Sequence, residues 1–354
     1  MTQATRFLLT FGSIVLCFIG FHHWEKLAES RITTYLKQEG HFRITLEENA
    51  ILFWDRNQLI GRYEHSPQLP KPHFASLSTS SGVRLTRGFP MEKNLPGESK
   101  DHPHHRGAWF CHGDVIPDTP IQTIKLPHVE GIDFWSEGMG RGKIICTKRS
   151  IPQNWHHGVG IATFNEWQGP DQSVLLKEKR CLGITHVADG TLLVWEISLS
   201  SPKGKVQFGD TKEGSLGIRI NDRLNEKNGG IIRTSEGEGE KACWGQETAW
   251  CDYHGTIEGQ TVGIAILDDP ANVIRACWHT RSYGLHAANP FGRKKSGFPA
   301  RKDQTKLAEI PEGEQLALRY AMLLHHEPIS VQQLDQLAKT WTNLPKCADL
   351  FKDD

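Results

Sequence analysis

The chain has 354 residues, enough for one large domain or two ordinary domains with a sizeable core. Its 41 Lys and Arg residues are balanced by 41 Asp and Glu residues, which leaves no formal net charge. This balance excludes the basic surface by which proteins hold nucleic acids, so we expect no nucleic-acid partner. The 18 His and 11 Trp residues direct attention to proton transfer, metal binding and aromatic packing.

The N-terminus is typical of an exported protein. Arg6 precedes an apolar run of 15 residues, 7–21, and polar residues follow it. Such a run fits a secretory signal better than a spanning helix, which needs about 20 residues. We predict that residues 1–30 are a signal peptide, cleaved at Ala28-Glu29-Ser30, or an uncleaved membrane anchor. The rest of the chain is then periplasmic, or held at a membrane by this segment alone.

Most of the remaining chain indicates short β-strands. Runs rich in β-branched and aromatic residues alternate with clusters of Gly, Pro, Asn and Asp, which is typical of a sandwich or a barrel. Predicted strands cover residues 42–46, 51–55, 143–148, 159–167, 173–181, 191–200, 261–267 and 316–324.

Helices are few in the sequence. Ser330 and Gln333 form a capping-box pattern at the start of an amphipathic segment that ends at Trp341, and residues 25–38 are a second candidate helix. We therefore predict an all-β fold, a large antiparallel β-sandwich with few short helices. Residues 31–354 are expected to form it as one domain.

Seven cysteines follow the leader, and none belongs to a CxxC pair. An odd number argues against a complete disulfide framework and against a zinc knuckle. Cys243 and Cys251 are spaced so that a disulfide could close a hairpin, and the sequence leaves this open.

The segment of residues 101–115, DHPHHRGAWFCHGDV, is the first candidate site. Its four histidines are His102, His104, His105 and His112. Histidine is the side chain best suited to proton transfer near neutral pH and is also the commonest metal ligand. Because Pro103 disfavours a regular strand, we expect a loop at the rim of the sheet, with Asp133 and Glu137 as candidate carboxylate partners.

Two further segments carry chemically active side chains. Residues 208–220, FGDTKEGSLGIRI, place Lys212, Glu213 and Arg219 among glycines that allow close backbone approach. Residues 278–292, WHTRSYGLHAANPFG, combine acid–base and hydroxyl-binding groups with rings on which a sugar could stack. Their polar candidates are His279, Arg281, His286 and Asn289, and their aromatic candidates are Trp278, Tyr283 and Phe291. Residues 244–253 are expected to line the same region.

These segments, in this order, resemble the PmoA-like family of exported bacterial proteins, which carries the name methane oxygenase PmoA. The matching stretches lie between about residue 70 and residue 326, and DHPHHRG and NPFG are the most specific of them. With at most one hydrophobic segment, the chain is not the membrane subunit with several spanning helices that gave the family its name. The resemblance implies a β-sandwich associated with sugar oxidoreductases and polysaccharide breakdown, broadly similar to sugar mutarotase sandwiches, and it implies no established reaction.

The first functional hypothesis is an exported carbohydrate-active enzyme with lyase, hydrolase or epimerase chemistry on a sugar or an oxidised sugar. Its predicted catalytic residues are His104, His105, Glu213 and His279. Its predicted substrate-binding residues are Arg106, Trp135, Lys212, Arg219, Arg281, His286 and Asn289. The histidine-rich pattern favours proton abstraction or ring opening over hydrolysis by paired carboxylates.

Two alternatives remain open at this stage. The first is a metal-dependent enzyme with one divalent ion, an oxygenase being a special case of it. Its candidate ligands are His102, His104, His112 and Glu137. The second is a non-catalytic glycan-binding protein, in which Trp135 and Trp278 would matter more than the histidines. The sequence does not indicate an oligomeric state.

Overall fold

The computed structural model describes residues 41–93 and 95–352. Within these ranges the chain is built from antiparallel strands that form two large sheets and one small sheet. In chain order the strands are β1 (Phe42–Leu46), β2 (Ala50–Asp55), β3 (Gln58–Glu64), β4 (His73–Leu77), β5 (Ala108–His112), β6 (Val115–Pro117), β7 (Lys143–Arg149), β8 (Gln153–Trp155), β9 (Gly158–Gln168), β10 (Val174–Val187), β11 (Gly190–Ser200), β12 (Val206–Phe208), β13 (Gly214–Arg219), β14 (Ile231–Thr234), β15 (Trp250–Ile257), β16 (Gln260–Asp268), β17 (Cys277–Thr280), β18 (Leu285–Asn289), β19 (Ala308–Ile310) and β20 (Gln315–His325).

The first large sheet, called here the site sheet, has the strand order β1-β2-β3-β4-β5-β13-β18-β17. The second, called the back sheet, has the order β14-β15-β16-β20-β11-β10-β9-β7, with β8 paired to β9. The small sheet has the order β19-β12-β6. Two large sheets of antiparallel strands packed face to face confirm the predicted all-β antiparallel sandwich.

The core lies between the two large sheets. Phe74 of the site sheet packs edge-on against Trp195 of the back sheet at 5.5 Å between ring centroids. Phe110 meets Trp167 in the same way at 6.1 Å. All four rings are fully buried. Burial of rings this large contributes about 1.5–3 kcal/mol or more each, which makes this layer the main stabilising element of the fold.

Two helices are present in the described ranges, α1 (Glu240–Cys243) and α2 (Val331–Thr340), besides short 3₁₀ turns. Ser330 caps α2 and forms the predicted capping box with Gln333. The apolar side of α2 covers the outer face of the back sheet, where Leu334 and Leu337 join a second buried cluster with Trp250 and Trp341. The predicted helix of residues 330–341 is thus confirmed, whereas the candidate helix of residues 25–38 lies outside the described residues.

All eight predicted strands are confirmed, β1 with identical bounds. The largest difference is β10, which continues to Val187 instead of ending at residue 181. At Gly183 an added Cβ would approach the Trp155 ring to 2.7 Å, so this glycine belongs to a covered part of the strand rather than to a turn. In the part of the chain that the structure describes, no helix is long and apolar enough to cross a membrane. The predicted leader, residues 1–30, lies outside the described residues.

The sequence left open a disulfide between Cys243 and Cys251, and this bond is not formed. Both residues are present as buried thiols, Cys243 at the end of α1 and Cys251 in β15. The two thiols contact each other through a hydrogen bond.

Candidate functional site

Strand register determines which side chains of the site sheet face the core and which face outward. His73, Trp109, Gly217, Ala287 and His279 lie side by side on five neighbouring strands, β4, β5, β13, β18 and β17. Paired residues point to one face, and the next residue along each strand points to the other. Because Phe110 faces the back sheet, this row faces away from the core and forms the floor of the candidate site.

Gly217 makes room for the aromatic floor. A Cβ at this position would lie 2.8 Å from Trp109 Cζ2 and 2.9 Å from Trp135 Cη2. Trp135 approaches from the loop before β7 and meets Trp109 at 5.0 Å between ring centroids, with the rings inclined by 62°. The indole of Trp135 therefore lies directly over the strand, which no larger residue at position 217 would permit.

Loops on this face enclose a cavity of about 760 Å³. The segment before β5, the loop of residues 126–136, the segment before β13, α1 and the β17–β18 turn all contribute to it. Eight of the residues predicted to be catalytic, substrate-binding or metal-ligating line this cavity: His102, His104, His105, Trp135, Lys212, Glu213, His279 and Arg281. The three separate sequence segments singled out above therefore meet in one place.

Four aromatic rings form a column along one wall. The Tyr283 ring lies 5.1 Å from the His102 ring with 2° between the planes, and the His102 ring lies 4.8 Å from the His105 ring with 5° between them. His105 in turn lies 5.3 Å from Trp109, at 19°. On Tyr283, the Arg219 guanidinium carbon lies 4.8 Å from the ring centroid. The column thus links the loop of residues 101–107 to the β17–β18 turn.

Glu213 stands out among the charged groups of the cavity. Two of the lining carboxylates are paired, since Glu240 binds Arg281 at 2.9 Å and Asp133 lies 3.6 Å from Arg141. Within residues 41–93 and 95–352, the Glu213 carboxylate has neither a hydrogen bond nor an ion pair. Burial raises its pKa, Asp133 adds to the increase, and Lys212 and Arg281 oppose it. A carboxyl group of this kind is suited to donate a proton.

Burial favours the neutral form of three cavity histidines, His104, His105 and His279. Burial, reinforced by Lys71 and His102, lowers the pKa of His104 to about 4, and burial with Arg281 lowers that of His279 to about 3. His105 is 1% exposed, and neither of its ring nitrogens has a partner among the described residues. Its pKa is lowered still further by burial. His105 and His279 are therefore floor residues, whereas His104 is only partly buried.

Two predicted site residues point into the core. His286 lies on the strand position next to Ala287, so its ring faces the back sheet, with Nε2 3.1 Å from the Cys251 carbonyl oxygen. His112 has its Nε2 2.9 Å from the Gly209 carbonyl oxygen and packs against Phe291. Neither residue lines the cavity, because strand alternation directs both side chains inward. Trp278 and Phe291, proposed as sugar-stacking rings, are also fully buried.

Three other predicted binding residues are occupied by contacts within the protein. Arg106 holds Glu137 with two hydrogen bonds, of 2.7 and 2.9 Å. Arg219 is 1% exposed and binds Asp101 at 2.8 Å. Asn289 donates to the carbonyl oxygens of two residues before Glu213. These three side chains therefore hold the cavity walls in place from behind and do not line the cavity themselves.

The four residues of the metal hypothesis do not come together. His112 faces the core, and Glu137 is bound by Arg106 and, at 3.2 Å, by Lys71. In the described ranges, no group of three or more His, Cys, Asp or Glu side chains has an arrangement that could hold a metal ion. The predicted ligand set, His102, His104, His112 and Glu137, is therefore corrected. Strand alternation directs His112 into the core, and Arg106 holds Glu137, so neither of them joins the two loop histidines.

Several lining residues were missed by the sequence analysis. They are His128, Ser136, Arg141, Thr211, Glu240 and Ser282. Arg141 and Glu240 follow glycine-rich stretches with no strand or helix periodicity, so the pattern offered no signal for them. The acid–arginine pairing of Glu240 with Arg281 depends on α1 packing near the β17–β18 turn, which is a long-range contact.

Together these features define an antiparallel β-sandwich protein with a polar pocket, lined by histidines and carboxylates, on the outer face of one sheet. Residues 53–339 match the model of a family described as "Family of unknown function (DUF6807)". The chain belongs to this family. The description gives no activity, and the resemblance to the PmoA-like family stays a prediction.

No curated protein matches the chain. Similar solved structures include heparan sulfate lyase HepC from Pedobacter heparinus, at 8% identity over 93% of this chain and 43% of that chain, TM-score 0.35. A galactose mutarotase-like protein from Clostridium acetobutylicum is 11% identical over 80% of this chain and 98% of that chain, TM-score 0.39. A putative aldose 1-epimerase from Escherichia coli K12 is 12% identical over 83% and 99%, TM-score 0.34. This chain spans less than half of the lyase, and at these TM-scores no activity is transferred from any of the three.

Proposed function

We propose that the protein is a carbohydrate-active enzyme that transfers protons between the histidine loop, Glu213 and a sugar or oxidised sugar bound in the cavity. The observation that carries this proposal is Glu213, a carboxyl group of raised pKa without a bonded partner, in the same cavity as His102 and His104. Acid–base catalysis requires a proton donor and a proton acceptor within reach of one bound substrate, and this cavity brings a carboxyl group and histidines together.

The remaining lining suits a polyhydroxylated ligand. It offers hydroxyl groups at Ser136, Thr211, Ser282 and Tyr283, and cationic donors at Lys212, Arg141 and Arg281. Trp135, which is 1% exposed, forms the floor beneath these groups and holds the shape of the cavity. A volume of about 760 Å³ is in the range of small-molecule sites and leaves room for more than one sugar unit.

The chemistry supported by this geometry is removal of one proton from the substrate and delivery of another to an oxygen. Ring opening of an aldose and elimination next to a carbonyl both follow this course, and neither needs a second carboxylate as nucleophile. Lys212 is a cationic residue of the cavity lining, and its ammonium group has no ion-pair partner among the described side chains. It is placed to bind a carboxylate or a developing oxyanion. Export of this enzyme remains part of the proposal and rests on the predicted leader.

The test is a screen of ordinary and oxidised mono- and oligosaccharides for turnover, followed by Glu213→Gln on any substrate found. We expect kcat to fall by roughly 10²–10⁴-fold, the usual contribution of a positioned acid or base. Glu314→Gln, an exposed change outside the cavity, is the matched control and should retain full activity. Turnover that survives Glu213→Gln would overturn the proposal.

The non-catalytic alternative makes a different prediction for the same variants. A glycan-binding protein would bind its ligand without turnover, and Glu213→Gln would leave the affinity nearly unchanged. The partly buried, unbonded carboxyl group favours the enzyme, because a purely binding site gains nothing from a group whose pKa is raised by burial.

A further inference from the structure

His102 and Asp101 form a histidine–carboxylate pair at the edge of the cavity. His102 Nδ1 lies 3.1 Å from Asp101 Oδ2, and the two side chains are 41% and 42% exposed. The imidazole lines the cavity, and its other nitrogen, Nε2, has no bonded partner among the described residues. A substrate can therefore reach this ring, in contrast to the buried rings of His105 and His279.

Two buried arginines fix the Asp101 carboxylate. Its Oδ1 accepts hydrogen bonds from Arg87 Nη1 at 2.6 Å and Arg219 Nη2 at 2.8 Å, and from Ser99 Oγ at 3.2 Å. Burial opposes the charged form, but Arg219, His102 and Arg87 outweigh it and lower the pKa of Asp101. The carboxylate thus stays ionised, with Oδ2 left to accept the Nδ1 proton of His102.

The His102 ring has little freedom to turn. It packs parallel to the rings of Tyr283 and His105, at 5.1 and 4.8 Å between centroids. Its backbone has φ = 42°, a left-handed conformation that non-glycine residues rarely adopt. The surroundings hold this conformation, since the His102 carbonyl oxygen accepts from Arg87 Nη2 at 3.1 Å and from the His105 amide at 3.0 Å. Strain maintained by its surroundings in this way is often found at functional residues.

We propose that His102 is the proton acceptor of the cavity and that Asp101 is its positioning residue. This inference rests on the function proposed above and assigns the role that was left open among the loop histidines. With Nδ1–H bonded to Asp101, the lone pair of Nε2 is directed away from the carboxylate and is available to the substrate.

The proton balance of the step is complete. Nε2 takes a proton from a substrate O–H or C–H group, which leaves an imidazolium bonded to the Asp101 carboxylate. Glu213 gives its proton to the substrate oxygen that gains the electron pair, and becomes a carboxylate. Exchange of one proton from the imidazolium to Glu213, directly or through water, restores the starting state.

His104 is the competing acceptor, and its surroundings disfavour it. No carboxylate contacts its ring among the described residues, and it lies edge-on to His105 at 4.4 Å between centroids. Burial and the nearby Lys71 act against an imidazolium at this position. An acceptor must hold the proton it takes, and only His102 has an ionised partner for that charge.

The first experiment needs no substrate. Long-range ¹H–¹⁵N spectra of the full-length protein report which nitrogen of each neutral imidazole carries the proton, and the His102→Gln spectrum identifies the His102 signals by their loss. We expect the Nδ1–H tautomer at His102 in the wild type and a shift towards the Nε2–H tautomer in Asp101→Asn. An Nε2–H tautomer in the wild type would overturn the inference.

The second experiment uses a substrate from the screen. We expect His102→Gln to lower kcat by at least 100-fold, with His157→Gln, an exposed histidine outside the cavity, unchanged. Asp101→Asn should move the acidic limb of the kcat/KM–pH profile to lower pH, because the imidazolium loses its anionic partner. A merely structural role of Asp101 would reduce activity without moving this limb.

The outcomes separate the two proposals. Loss of activity in Glu213→Gln with full activity in His102→Gln contradicts this inference and leaves the proposed function standing. Full activity in Glu213→Gln contradicts the proposed function itself. Asp101→Asn leaves Arg87 and Arg219 without their shared anion and can affect folding. If that variant is unstable, the activity of His102→Gln alone decides whether the inference holds.

Discussion

Asn289 donates through Nδ2 to the carbonyl oxygens of Thr211 and Lys212, at 3.0 and 2.9 Å. Its Oδ1 accepts the amide protons of Phe291 and Gly292, both at 2.9 Å. One buried side chain thus connects the NPFG turn to the two residues that precede Glu213. The position of the Glu213 carboxyl group depends on a residue that does not reach the cavity.

Asn289→Ala should therefore reduce both stability and activity. Each buried backbone group left without a partner costs about 1–3 kcal/mol, and the segment before Glu213 loses its anchor. We expect kcat to fall at least tenfold at temperatures where the variant is still folded. Urea unfolding and steady-state kinetics check this, with Asn57→Ala in the exposed β2–β3 turn as control. Normal activity in a destabilised Asn289→Ala would contradict the anchoring role.

Gly217→Ala tests the aromatic floor. The added methyl group would approach the Trp109 and Trp135 rings to less than 3 Å, so Trp135 must move into the cavity. We expect a loss of about 1–3 kcal/mol in the free energy of unfolding, the usual penalty for overpacking, and weaker saccharide binding by tryptophan fluorescence. Ser215→Ala, on the same face of the same strand, removes a buried hydroxyl that has no partner and should be neutral. Unchanged binding in Gly217→Ala would show that the floor tolerates displacement.

A buried pair on the back sheet predicts how stability depends on pH. His325 Nε2 lies 3.0 Å from Asp252 Oδ1, and Arg233 and His254 contact the same carboxylate at 2.9 Å. Burial opposes charge on both groups, but their mutual attraction raises the pKa of His325 and lowers that of Asp252 well below its usual value. The His325 contribution is complete below the unfolded pKa of about 6.5 and is lost as pH rises through the folded pKa. The Asp252 contribution is present above about pH 4 and is lost as pH falls through its folded pKa.

We therefore expect the stability lost in His325→Gln to be larger at pH 5.5 than at pH 8.5. Urea midpoints of the wild type and the variant at the two pH values measure this difference. His157→Gln serves as the control, because this exposed side chain has no carboxylate partner among the described residues. A loss that is equal at both pH values would mean that His325 is neutral in the folded protein.

Elemental analysis of protein purified without added metal or chelator tests the corrected ligand set. Because His112 faces the core and Glu137 is held by Arg106, we expect His112→Ala to leave any bound metal unchanged. One equivalent of zinc, iron or copper that is lost in both His104→Ala and His112→Ala would contradict the placement of His112.

Much of the fold was predictable because strands and turns differ in composition along the sequence. Residues 191–200 and 316–324 were assigned as strands from their composition alone, and they pair with each other in the centre of the back sheet. The cavity was predictable only in part. Glu213, His279 and Arg281 were recognised because active residue types cluster near glycines, whereas Glu240 and Arg141 reach the site through contacts distant in sequence.

The mistaken assignment of His286 has a specific cause. His279 and His286 belong to the hairpin of β17 and β18, in which His279 pairs with Ala287 and Thr280 pairs with His286. Had the register differed by one residue, both histidines would have faced the cavity. The register of this hairpin depends on the geometry of the turn at residues 281–284, and that geometry could not be read from the sequence.

The alternation of β5, β13, β18 and β17 also limits how this protein can evolve. In β13, Leu216 and Ile218 point into the core, whereas Gly217 and Arg219 point to the opposite face and support the cavity. Insertion or deletion of one residue in β13 would exchange these two sets and destroy core and site together. New substrate preferences are instead expected from length changes in the loop of residues 126–136, which contains no strand and lines the cavity. Relatives with altered specificity are thus expected to differ there in length while keeping the spacing of these four strands.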